Sequence, residues 1–162
     1  MLKERYGSGQ ARWNSKLRIV ATSIEDIERQ VFDENSNVDI LVALQASGAL
    51  QGVWPSVEIN GKHFFDGGSF SMENPDVVVD ADKMLVLSTG LPVDVPYKLE
   101  DLLAQLEKKG TETSLVLPSE KTMNILKDFN YNTVEAKIRP FVAQAGREQG
   151  QAEAALIKER WL

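Results

Sequence analysis

The sequence predicts an α/β domain, and three observations carry that expectation. Short β-prone runs alternate with segments of helical spacing along the chain. An Asn60-Gly61 pair sits between the β-prone runs Val57-Glu58-Ile59 and His63-Phe64-Phe65, which is the strongest short-range hairpin signal. The continuous apolar run Met84-Leu85-Val86-Leu87-Ser88 is of the kind a parallel sheet covers on both faces.

Residues Met1 to Ser15 are polar, include Gly7-Ser8-Gly9 and have no period, so 1–15 is expected to be a flexible lead-in and 16–162 a single α/β domain. Leu17-Arg18-Ile19-Val20-Ala21 reads as a strand within 16–21, and Val31-Phe32-Asp33 as a short strand. Asn35-Ser36-Asn37 offers turn and N-cap chemistry before a short buried helix over 39–50, whose end Gly48 loosens. After the hairpin comes Asp66-Gly67-Gly68, where two glycines imply a sharp turn or a close backbone approach. Leu99, Leu102, Leu103 and Leu106 share one helical face within 98–109, and Gly110 stops that helix. Ser114 to Pro118 reads as a strand. Ser119-Glu120 opens a helix through Leu126, and Asn132-Thr133 caps a last long helix over 134–160.

Composition narrows the function. The chain has 162 residues, enough for one core without a disulfide or metal staple. It has no cysteine, which excludes disulfides, thiolate metal sites and a cysteine nucleophile. A single histidine excludes a multi-histidine metal site within the chain. The net charge of −6 argues against nucleic acid as a partner. No apolar run approaches the ~20 residues of a spanning helix, and the N-terminus does not read as a signal peptide. A soluble, cytoplasmic protein is therefore expected, with no metal and no cofactor.

Few residues carry chemistry on local pattern. There is no Gly-x-Ser-x-Gly elbow, phosphate loop or dinucleotide fingerprint. Ser8 in Gly7-Ser8-Gly9 lacks the strand–turn–helix context of a nucleophile. Asp80 and Asp82 read as a solvated turn rather than a calcium loop. Asp66 stands out because it follows Phe64 and Phe65 and precedes two glycines. Apolar neighbours disfavour its charge while nearby amides favour it, the setting of a tuned general base. The alternative is an Asp that holds a turn through the following amides, and local pattern favours this. His63, three residues before Asp66, should face the other side of a strand, so a His–Asp pair is not expected. Ser69 and Ser71 follow the glycine turn but lack the strand-to-helix elbow.

The run from Leu17 to Thr22, followed by the stretch from Val38 to Val57, resembles the patatin-like phospholipases, particularly bacterial members. In that family a helix carrying Ala-Ser-x-Ala, here Ala46-Ser47-Gly48-Ala49, leads to Pro-Gly-Val-Phe-Pro-Pro, here Gln51-Gly52-Val53-Trp54-Pro55-Ser56. A hairpin follows and ends in Asp-Gly-Gly, here Asp66-Gly67-Gly68. Ser71, Asn74 and Asp76 resemble the stretch before the next core strand. The run Ala145-Gly146-Arg147-Glu148-Gln149-Gly150 resembles a C-terminal helix of bacterial members. Gln51 and Trp54 depart from the usual proline and phenylalanine.

The resemblance implies a partial three-layer sheet with flanking helices. It also implies a serine lipid acyl hydrolase that works through a Ser–Asp dyad, with Asp66 as the base, Gly67 and Gly68 as motif glycines, and a lipid acyl ester as substrate. The family's nucleophile and its Gly-rich oxyanion loop lie upstream, and neither motif occurs in this sequence. The chain thus corresponds to roughly the C-terminal half of such an enzyme, either a piece cut from it or a chain that meets an N-terminal half in trans or by self-association. The alternative is a catalytically inactive truncated module that binds a partner chain or a lipid surface, in keeping with peripheral contact at a membrane.

Overall fold

The structure, a computed structural model, describes residues 11–161. These divide into two compact units, 11–81 with 93–110 and 82–92 with 111–161. The span 16–162 read as one domain covers parts of both. Gly7-Ser8-Gly9 and the first part of the expected lead-in lie outside the described residues.

The first unit is built on a four-stranded antiparallel sheet. Its strands are β1 (Ile19–Ser23), β2 (Arg29–Phe32), β3 (Val57–Ile59) and β4 (Lys62–Asp66), in the spatial order β2-β1-β4-β3. The first strand starts later than the expected 16–21. The Asn14 side chain and carbonyl accept from the Lys16 and Leu17 amides, a turn that keeps both residues off the ladder. Trp13 belongs to the stretch expected to be flexible, yet it packs against the core and its indole donates to the Val38 carbonyl at 2.8 Å. A large aromatic with a buried polar handle ties down chain that polarity alone reads as loose.

Helix α1 (Ile40–Ser47) covers the sheet. Its cap is Asp39, not the expected Asn35-Ser36-Asn37: the Asp39 carboxylate accepts from the Leu41 and Val42 amides, satisfying two orphan donors of the first turn. Asn37 instead takes a left-handed turn position, φ 52°. Ile40, Leu41, Ala43 and Ala46 of α1 meet Ile19, Ala21, Phe32, Ile59 and Phe64 of the sheet. Phe32 and Phe64 touch edge to face at 5.5 Å. The hairpin turn is as expected: Asn60 and Gly61 both have positive φ, 52° and 80°. Helix α2 (Leu99–Lys108) buries Leu102 and Leu106 and lies against the 3-10 turn Pro75–Val77.

In the second unit β5 (Lys83–Leu87) and β6 (Glu112–Val116) pair in parallel. The expected coverage of both faces is not found. Met84 and Val86 are buried, while Leu87 is 70% exposed. A two-stranded ladder gives its second face few neighbours, so burial alternates along the strand. Helix α3 (Glu120–Asp128) is capped by the Ser119 hydroxyl, which accepts from the Thr122 amide. The long helix α4 (Arg139–Trp161) begins later than the expected Val134. Asn132 accepts from the Val134 amide in a local turn, Glu135 caps the 3-10 turn Ala136–Ile138, and Pro140 falls in the first turn of α4, where a missing amide costs nothing. The described architecture is thus mixed α/β with two small sheets.

Among the described residues two bulky side chains sit at left-handed backbone positions, Ile27 and Tyr131, with φ 55° and 57°. Ile27, in the β1–β2 connection, has φ 55° with its side chain 67% exposed, and a β-branched residue is disfavoured there. Asn tolerates that region. Ile27→Asn should therefore raise stability by about 1 kcal/mol in urea denaturation; a loss of that size would mean the isoleucine side chain holds the turn.

Candidate functional site

Asp66 ends β4, and three main-chain features fix it there. It pairs across the sheet with Ala21. Its amide donates to the Ala49 carbonyl at 3.1 Å, joining the strand end to the end of the α1 segment. Its carbonyl accepts from the Thr22 hydroxyl at 3.2 Å. The side chain then caps the 3-10 turn Gly67–Ser69: one carboxylate oxygen accepts from the Gly68 amide at 2.8 Å. The other oxygen has no hydrogen bond among the described residues. The turn role expected for this Asp is therefore present, and it leaves half of the carboxylate open.

Gly67 is required by space rather than by an unusual φ. A Cβ built there would lie 2.5 Å from the Val20 carbonyl oxygen and 2.8 Å from its carbon, both backbone atoms of β1. Gly68 is less confined, with its nearest neighbour the Asp66 carboxylate itself. Of the two readings of the glycine pair, close approach holds at Gly67.

The segment after the glycines is held from β2. Arg29 donates two parallel hydrogen bonds to Asp76, both 2.7 Å, the fork geometry that makes such pairs strong. The same guanidinium donates to the Asn74 Oδ1 at 3.2 Å and lies 4.9 Å from the Phe70 ring centre. Phe70 stacks on Tyr97 at 4.3 Å. Asn74 is buried and left-handed, φ 49°; its amide nitrogen donates to the Gly67 carbonyl at 3.1 Å and to the Ser71 carbonyl. The Arg29 hydrogen bond holds the Asp76 carboxyl below the ordinary carboxylate range, against burial, which raises it.

None of the other sequence candidates bonds to the Asp66 carboxylate among the described residues. His63 is half-exposed on the hairpin and its Nδ1 lies 3.0 Å from Glu25, so it pairs there and not with Asp66. That hydrogen bond lowers the Glu25 carboxyl. Asp80 sits in an exposed turn at φ 61°. Ser71 is fully buried and its hydroxyl has no hydrogen-bond partner among the described residues. Neither Ser69 nor Ser71 bonds to the Asp66 carboxylate among the described residues. Among those residues no group of three or more acids or histidines is placed to hold a metal. Arg29, Phe70 and Tyr97 carried no sequence signal: no motif marks an arginine at a strand start as the partner of an Asp 47 positions away. The chain matches no family model, and no curated protein gives a significant match to it.

Two measurements follow from this geometry. Gly67→Ala should destabilise the chain by about 1–3 kcal/mol, the usual cost of overpacking, and an unchanged urea midpoint would refute the close approach. Asp76 has a folded pKa below its unfolded one, so its stabilisation is full above the unfolded value of about 3.9 and is lost as pH falls through the folded one. The stability gap between wild type and Asp76→Asn should be widest near pH 7 and shrink by pH 3; a gap that stays constant would exclude the ion pair as its source.

Proposed function

We propose that the chain is the Asp-Gly-Gly portion of a patatin-like serine lipid acyl hydrolase and that Asp66 is its dyad base. One observation carries the reading: a half-buried carboxylate at a strand end, with one oxygen tethered to the Gly68 amide and the other without a hydrogen bond among the described residues. A general base needs a fixed carboxylate with a lone pair free to take a proton. The order of elements also supports it, with a short helix, then a hairpin, then Asp66-Gly67-Gly68.

In this reading a serine from a Gly-x-Ser-x-Gly segment loses its proton to Asp66 as its oxygen attacks the ester carbonyl. The acyl group passes to the serine, the alcohol leaves, and water releases the acid. The substrate class is an acyl ester of a lipid; among the described residues no helix is long and apolar enough to cross a membrane.

A second reading, an inactive module that binds a partner chain or lipid surface, is favoured by the lack of any hydrogen bond from Ser69 or Ser71 to the Asp66 carboxylate among the described residues. The two readings separate in one experiment. The chain alone should not react with a fluorophosphonate probe. Supplied with an upstream segment carrying the serine elbow, it should hydrolyse a p-nitrophenyl acyl ester, and Asp66→Asn should lower kcat by about 10²–10⁴-fold. Hydrolysis that Asp66→Asn leaves intact would remove Asp66 from the chemistry. No hydrolysis in any combination would favour the binding module.

A further inference from the structure

We infer that Asn74, oriented by Arg29, is a positioning residue that aims the Gly68 amide at the Asp66 carboxylate. The functional weight of this inference rests on the reading of Asp66 as a base, but the geometry does not.

A single peptide group links Asn74 to Asp66. The Gly67 carbonyl and the Gly68 amide belong to the same planar unit. Asn74 Nδ2 donates to that carbonyl at 3.1 Å, and the amide on the other side donates to Asp66 at 2.8 Å. Holding the oxygen fixes the plane, so the N–H can point only where the plane allows. A hydrogen bond at the carbonyl also polarises the unit and strengthens its N–H as a donor. The Phe70 amide donates to the same carbonyl at 3.2 Å, so the grip is shared.

Asn74 could present either end of its amide. Arg29 decides which: it has only N–H groups to offer and donates to Oδ1 at 3.2 Å, which turns Nδ2 toward Gly67. Arg29 is itself immobilised by the fork to Asp76 and by the Phe70 face. The sequence of contacts therefore runs Asp76, Arg29, Asn74, the Gly67–Gly68 peptide, Asp66. It ends at the oxygen opposite the one left open, so the clamp sets the carboxylate without occupying its free side.

The test reads the Gly68 amide in ¹⁵N-labelled chain. Asn74→Gly suits it because glycine keeps the left-handed backbone and removes only the side chain. The Gly68 proton should move upfield and exchange about tenfold faster, the factor for one ordinary hydrogen bond, while the amides of β1 and β4 keep their protection. In an Asp66→Asn background the same substitution should change Gly68 far less, because the acceptor it serves has lost its charge. A loop that Asn74 merely braces would give equal changes in both backgrounds. Equal changes, or an unmoved Gly68 amide, would overturn the inference. Should Asn74→Gly lose a dispersed spectrum, Arg29→Lys reads the same coupling while keeping the charge and every main-chain group. Ester hydrolysis enters none of these readouts. A coupled Gly68 amide with no hydrolysis even when the serine-elbow segment is supplied would thus sink only the dyad reading, and an uncoupled amide only this one.

Discussion

The contact between Gly67 and the Val20 carbonyl is the constraint on which the first unit depends. It exists because β1 and β4 lie side by side, and it is possible only where a side chain is missing. With that space filled, the turn after β4 would have to lift off β1. The Thr22 hydroxyl, the Ala49 carbonyl and the Gly68 amide would then lose their common partner, Asp66. The sheet, the end of the α1 segment and the candidate site are therefore not three features placed near one another. They meet at one residue because one atom group is absent.

Above this contact the polar groups are arranged to leave little choice. Asn74 sits in a backbone region that few residues tolerate, its amide shared between two carbonyls, its oxygen taken by an arginine. Arg29 spends its fork on Asp76 and its face on Phe70. Among the described residues one buried side-chain polar atom lacks a hydrogen bond, the Ser71 hydroxyl. Such a group costs about 1–3 kcal/mol relative to a paired one, so the turn holding it is kept by its neighbours and not by its own contacts.

Local chemistry was legible in the sequence where it acts within a few residues. Asn60-Gly61 requires positive φ and therefore announces its turn. Ser119 and Glu120 announce a helix start, and the leucines of α2 its inner face. Asp66 could be singled out because two glycines and two phenylalanines flank it. What could not be read is what depends on distant chain. The Asn14 turn moved the first strand, Asp39 took the cap from Asn37, and Trp13 anchored a polar lead-in, each through a partner that spacing does not identify. The expected two-sided cover of β5 failed for a related reason: an apolar run does not say how many strands will stand beside it. Arg29 is the plainest case, since nothing near it in sequence distinguishes it from any charged residue on a strand.

The strand order has a kinetic side. β1 and β2 are joined by a short connection, as are β3 and β4, so each hairpin closes a small loop. The pairing of β1 with β4 instead joins Ala21 to Asp66 and Thr22 to Phe65, and the Thr22 hydroxyl bonds across it to the Asp66 carbonyl 44 positions away. Its closure carries the largest chain-entropy cost of the three pairings, and non-local pairing of this kind slows folding. The seam between the two hairpins is thus the last of the three pairings to be compensated by its contacts. Chains caught with both hairpins formed and the seam apart would retain most of their secondary structure while Asp66 had no fixed surroundings at all.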